Sequence, residues 1–151
     1  MNGDHPPRLN WCIEKHRQAI KILPIKFPDG FNDLLDAKQL PRVKSSPHRR
    51  TWLDWDLITP RFERQYFLEG AEEIIRQGLG RSDLSGCAYL IMEYGYSAPL
   101  IQVETLVFIQ FWDDFASSAE GGAVVVAKDE KLVMEFTDDV EYVLHSNFPI
   151  P

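Results

Sequence analysis

The most regular alternation of apolar and polar positions lies near the end of the chain. Residues 123–127 and 131–136 are strand-like runs separated by a short charged turn at 128–130, a combination that predicts a β-hairpin. Residues 140–144 form a further run of this kind, with a turn at 138–139 before it. This part of the chain therefore predicts three successive antiparallel strands.

Two other segments have the pattern of extended structure. Residues 87–94 are an aliphatic and aromatic run, closed by glycine and proline, and predict a central strand that residues 100–103 could pair with. Residues 52–58 alternate Trp, Leu and Ile with two aspartates and predict a short strand or an extended segment.

Helical spacing of apolar positions predicts two helices. The first covers residues 60–79, with a Thr-Pro pair at its start and Gly80 at its end, where a left-handed cap is favoured. The second covers residues 106–118 and has a broad apolar face, although Thr105 to Ile109 is equally consistent with a strand.

The first third of the chain has a weaker pattern that prolines interrupt. A short helix over residues 10–23 has to end at Pro24, another fits within residues 27–40, and residues 38–50 indicate a basic loop. Because periodic apolar positions are few, we expect little of the core to come from residues 1–50.

Together these elements predict the α+β class in a single domain over residues 1–151. An irregular, basic segment 1–50 precedes a core, 51–151, in which an antiparallel sheet of about four to five strands has two packed helices on one face.

Composition supports a packed globule and limits its location. Apolar residues make up 44% of the chain and aromatic residues 12%, which favours a real core over disorder. The start of the chain lacks a secretory signal pattern, and no apolar run approaches the length of a membrane span. Cys12 and Cys87 have no metal or redox spacing, so we expect buried thiols in a cytoplasmic protein without membrane contact.

Charge divides the chain into two unequal blocks. Residues 1–50 carry ten Lys/Arg and five Asp/Glu, whereas residues 51–151 carry six and eighteen, so that +5 and −12 give the net charge of −7. Acidic residues on regular strands and turns hold fixed positions and are suited to a basic partner. The four basic residues in 42–50 belong to a chain with a pI near 5.0, which argues against nucleic acid as the partner.

Partner-contact candidates follow from this distribution. The acids of the C-terminal hairpin and of the second helix are the charged candidates, and neighbouring aromatic residues are the candidate anchors. They are Asp129, Glu130, Asp138, Asp139, Glu141, Asp113, Asp114, Tyr94, Tyr96 and Trp112.

Catalytic signatures are weak, and no cofactor or metal is expected. The histidines are dispersed, and the chain has no phosphate-binding glycine motif and no nucleophile elbow. The alternative is a metal-dependent hydrolase or nucleotide-processing enzyme that uses Asp54, Asp56 and His145. These aspartates are better explained as the solvent face of an amphipathic strand.

Residues 52–95 resemble a known family. Trp55-Asp56-Leu57-Ile58, Phe62-Glu63-Arg64-Gln65, Leu68-Glu69-Gly70 and Ser85-Gly86-Cys87-Ala88 are similar to the layout of small immunity proteins from bacterial contact-dependent growth inhibition and related polymorphic-toxin systems. The resemblance implies a cytoplasmic protein that neutralises a cognate toxin, often a nuclease. The basic first third departs from that pattern.

The sequence also leaves a third interpretation open. An adaptor subunit of a larger complex would expose an apolar patch near Tyr94-Gly95-Tyr96. Oligomeric state is not indicated by any feature of the chain.

Overall fold

The computed structural model describes residues 7–25, 28–43, 51–94, 99–118, 122–137 and 142–151. They form an antiparallel sheet with helices, which confirms the α+β class. The sheet has seven strands rather than the four to five expected.

All seven strands belong to one sheet. They are β1 (Ile20–Ile22), β2 (Phe62–Gln65), β3 (Tyr89–Glu93), β4 (Ile101–Glu104), β5 (Ala123–Ala127), β6 (Val133–Phe136) and β7 (Val143–Ser146), in the order β1-β4-β3-β5-β6-β7-β2. The predictions of an internal strand at 87–94, of its neighbour at 100–103 and of the hairpin are confirmed, and the last predicted strand is β7.

Five α-helices flank the sheet in the described part of the chain. They are α1 (Pro7–Lys15), α2 (Asp29–Ala37), α3 (Ala71–Gly80), α4 (Thr105–Gln110) and α5 (Trp112–Ser117). Residues 105–109 are therefore helical, and the predicted helix 106–118 is broken at Phe111, whose φ of −119° and ψ of 30° are not helical.

The predicted helix 60–79 is wrong in its first half. Residues 62–65 pair with β7 as β2, and the helix begins only at Ala71. Gly70 lies between them with a φ of 79°, a left-handed conformation that suits glycine and separates strand from helix. Tertiary pairing thus overrides the helical spacing of the apolar residues.

The expectation that the first third is irregular and contributes little core is also wrong. It contains α1, α2 and β1, and Leu9, Phe31 and Leu35 have no exposed surface. Its apolar residues are few, but most of those that the structure describes pack against the sheet.

Helices and loops cover both faces of the sheet, not one. The first face carries the larger core, to which α1, α3, α4 and α5 contribute. The second face is covered by α2 and residues 51–58, which form a separate core on Val124, Val126 and Val133. We call residues 28–43 together with 51–58 the cover. Within it, Leu53 forms an isolated bridge with Arg42, and Trp55–Leu57 is a 3-10 turn rather than a strand.

Among the described residues, none of the helices combines the length and the apolar character needed to span a bilayer.

Candidate partner-binding site

Asp129 and Glu130 are exposed in the turn between β5 and β6. The turn is tied to the cover, because Lys38 Nζ donates to the backbone oxygens of Lys128 (2.9 Å) and Glu130 (2.8 Å). Burial lowers the pKa of Lys38, although the nearby carboxylates of Asp129 and Glu130 oppose this shift. One basic residue of the first third thus holds the acidic turn in place.

Asp113 lies at the opposite end of β6 from that turn. The turn leads into Val133 at the start of β6, whereas Trp112, next to Asp113, stacks on Phe136 at its end with 6.1 Å between ring centroids. The predicted acidic residues that the structure describes are therefore divided between two ends of the sheet. Asp113 and Asp114 thus lie away from the hairpin turn that carries Asp129 and Glu130.

Asp114 serves an intramolecular contact. Its Oδ2 accepts from Lys15 Nζ at 2.9 Å and lies 2.8 Å from His16 Nε2, which joins α5 to the end of α1. Burial raises the pKa of Asp114, but these hydrogen bonds outweigh burial and hold the pKa below its usual value. The His16 ring packs against the rings of Phe111 and Phe115. We therefore assign Asp114 to the joint between α1 and α5 rather than to a partner surface.

The predicted aromatic anchors are internal where the structure describes them. Trp112 is 1% exposed, and its Nε1 donates to the backbone oxygen of Glu72 (3.0 Å). Tyr94 is partly buried and donates its hydroxyl to the backbone oxygen of Phe115 (3.0 Å). Tyr96, Asp138, Asp139 and Glu141 lie outside the described residues.

A pocket of about 320 Å³ opens beside Asp113, and we call it the acid-rimmed pocket. Its lining includes the aromatic rings of Tyr66 and Trp112 together with Phe67 and Leu68, which are 69% and 58% exposed. The acidic residues of its lining are Glu69, Glu72 and Asp113, and Gly70 completes the lining. Apolar and acidic groups thus meet at one end of the sheet.

Local chain geometry positions this pocket. The backbone N–H of Tyr66 donates to the backbone oxygen of Tyr142 (3.0 Å), and the Tyr66 hydroxyl donates to the backbone oxygen of Thr137 (2.7 Å). Phe67, the next residue, lies beside the partly exposed ring of Tyr142, with 4.9 Å between the ring centroids. Gly70 then turns the chain into α3.

Sequence reasoning missed this pocket because it assigned Phe67 and Leu68 to the buried side of a helix. The available signal was the Glu69-Gly70 pair directly after them, which can mark a turn and so leave the preceding apolar residues at a loop.

The residues of the enzyme alternative are not assembled into a metal site. Asp56 pairs with Arg61 (2.9 Å), and His145 stacks on Trp55 with its Nδ1 3.7 Å from Glu63 Oε1. In the described ranges, no group of three or more His, Cys, Asp or Glu side chains has a geometry that could hold a metal ion.

Glu135 is a buried carboxylate that the sequence did not single out. It is 4% exposed on the second face. Its Oε2 accepts the backbone N–H of Trp52 (2.6 Å). Its Oε1 accepts the backbone N–H of Leu53 (3.2 Å) and the indole N–H of Trp55 (3.0 Å). Burial raises the pKa of Glu135 to about 7, although these donors oppose the shift. All three donors come from the cover, so Glu135 holds the cover on the sheet.

Neither cysteine has the environment of a nucleophile. Cys12 and Cys87 are both buried. Burial raises the pKa of Cys12 to about 11 and that of Cys87 to about 12, so that both remain thiols at neutral pH.

Comparison with known proteins adds no assignment, since no protein-family model and no curated protein matches the chain.

Proposed function

We propose that this chain is a cytoplasmic, immunity-type binding protein that neutralises a basic toxin domain through the acid-rimmed pocket. The observation that carries the proposal is the exposure of Phe67 and Leu68 at a pocket with Glu69, Glu72 and Asp113 in its lining. Exposed apolar groups with polar surroundings are typical of protein interaction sites.

The apolar part of the pocket supplies the expected binding energy. Phe67, Leu68 and Tyr142 form an exposed apolar surface next to a cavity that accepts one side chain. Most interface energy comes from a few such residues that lose water on binding. The partner is therefore expected to insert an apolar or aromatic side chain between Phe67 and Trp112.

The acids supply orientation and partner choice. Glu72 is paired with Arg76 within the chain (2.7 Å), and Glu69 and Asp113 add two further acidic side chains to the lining of the pocket. A basic partner would be steered to this end of the sheet and discriminated from acidic proteins. If the toxin is a nuclease, its phosphate-binding surface is positively charged. Covering that surface would block access of the substrate.

This proposal replaces part of the predicted contact set. Asp129 and Glu130 lie at the far end of β6 and are not expected to share a compact interface with Asp113. We expect that charge reversal at Asp129 affects the association rate more than the affinity.

The test is binding to the toxin domain encoded directly upstream, measured by calorimetry at several salt concentrations. Phe67→Ala and Leu68→Ala should each weaken binding by about 30-fold or more, which corresponds to about 2 kcal/mol at a hot spot. Leu57→Ala is the matched control, because Leu57 is also 69% exposed but lies in the cover. Asp113→Lys should lower the affinity and reduce its dependence on salt.

Absence of binding would reject the proposal as a whole. Binding that Phe67→Ala and Leu57→Ala weaken equally would reject the acid-rimmed pocket as its site.

A further inference from the structure

β2 forms one of the two edges of the sheet. It pairs with β7 on one side, and no described strand lies beyond it. An edge strand offers backbone donors and acceptors to another extended chain unless its side chains prevent pairing.

The register shows which backbone groups of β2 face outward. The Tyr66 N–H donates to Tyr142 O, so Tyr66 belongs to a hydrogen-bonded pair with β7. Such pairs alternate along an antiparallel ladder, which makes Arg64 and Phe62 the next bonded positions. Glu63 and Gln65 therefore direct their N–H and C=O groups away from β7.

A pocket of about 290 Å³ adjoins this edge. Phe62 and Arg64 share a face with their register partners Ser146 and Leu144, and all four line it. Glu63, Pro149 and Ile150 complete the lining. A strand added to β2 would place alternate side chains at this pocket.

Arg64 places a guanidinium at this pocket, whose lining also includes the carboxylate of Glu63. Arg17, Arg42, Arg61 and Arg76 each pair with a carboxylate. The Arg64 guanidinium instead donates to the backbone oxygen of Ile150 (3.2 Å), and within the described residues it has no acidic partner. Its Nε is buried without an acceptor. A buried donor without an acceptor is costly, and the other guanidinium nitrogens of Arg64 keep donor capacity for a ligand.

We propose that the β2 edge is a second interaction surface, which binds an extended peptide segment carrying a carboxylate side chain two residues from an apolar one. The backbone of the segment pairs with Glu63 and Gln65. Its carboxylate meets Arg64, and its apolar side chain enters the pocket against Leu144 and Ile150. The partner is acidic here, in contrast to the basic partner proposed for the acid-rimmed pocket.

The probe is the blocked peptide Thr-Glu-Thr-Val-Thr, titrated into the isotope-labelled full chain and followed by backbone amide NMR shifts. The peptide should shift the amides of Glu63 and Gln65. The same peptide with Lys in place of Glu should bind at least about tenfold more weakly, because it presents a like charge to Arg64.

Two variants separate the backbone contribution from that of the charge. Gln65→Pro removes an outward N–H while sparing the bonds to β7, and Arg64→Gln removes the charge. Each should weaken binding at least about tenfold, whereas Arg81→Gln, an exposed arginine elsewhere, should not. A peptide N-methylated on its backbone tests the pairing without altering the protein.

No shifts at residues 62–65 with millimolar peptide would overturn the proposal. So would equal binding of the Glu and Lys peptides, or shifts confined to the acid-rimmed pocket.

Discussion

The two faces of the sheet are covered by different kinds of contact. On the first face, β5 and β6 present Val125, Met134 and Phe136 to helices whose buried side chains there are mainly apolar. On the second face, the same strands present Val124 and Val126 together with Glu135, whose carboxylate accepts N–H groups from the cover.

The difference shows which kinds of side chain can be buried on each face of the sheet. A row of polar residues crosses the second face, because the register aligns Glu93, Glu135, His145 and Glu63 on neighbouring strands around Val124. Buried carboxylates require donors, and segment 52–55 has them because its backbone is not engaged in a full strand. The first face is held mainly by apolar packing, whereas the second combines a smaller apolar core with specific hydrogen bonds to Glu135.

The largest expected effect comes from removing packing on the first face. Phe136→Ala should lower the free energy of unfolding by about 3–5 kcal/mol, because the ring contacts Tyr66 and Trp112 in the buried core. Urea denaturation measures the loss. Phe67→Ala is the matched control on an exposed ring and should change stability by less than about 0.5 kcal/mol. Similar losses in the two variants would contradict the described packing of the first face.

An intermediate effect, dependent on pH, is expected on the second face. The pKa of Glu135 is raised from 4.5 to about 7, so the folded state retains a proton that the unfolded state has released. This stabilisation is complete below pH 4.5 and is lost as the pH rises towards 7, by about 3 kcal/mol. Glu135→Gln should remove that part of the pH dependence.

Urea denaturation of the wild-type protein and of Glu135→Gln, repeated between pH 4.5 and about 7, measures how the free energy of unfolding changes with pH. Glu63→Gln, on the same face but exposed, is the control. An unchanged slope in Glu135→Gln would show that Glu135 is not the group responsible.

The smallest effect is expected for the charged contact at the rim of the first face. Asp114→Asn should cost about 0.5–1 kcal/mol at neutral pH, because its pair with Lys15 is partly exposed to solvent. Its pKa is depressed, so the contribution is present above the ordinary value of 3.8 and is lost as the pH falls below it. A cost as large as that of Phe136→Ala would mean that the two faces differ less than their contacts indicate.

Local pattern predicted the central part of the sheet well. β3 to β7 are runs or alternations whose periodicity is independent of distant residues. β2 was missed because the Thr59-Pro60 pair predicted a helix start, and because Phe67 and Leu68 continue the apolar spacing of α3 towards the N-terminus. Glu135 was missed for a different reason, since it occupies a position of the hairpin that would face solvent if the cover were absent. The acid-rimmed pocket likewise depends on Trp112 and Tyr66, which are far apart in sequence and meet only through the tertiary fold.

The strand order has a consequence for how the chain is made. The first two strands, β1 and β2, occupy the two edges, and the five later strands lie between them. During synthesis β1 must wait for β4, and β2 must wait for β7, the last strand. Early segments thus leave the ribosome long before their partners, and such distant pairing slows folding. A chain that stops before β7 would leave β2 unpaired, and Trp55 would lose its stacking contact with His145. Such truncated products are therefore candidates for aggregation or degradation.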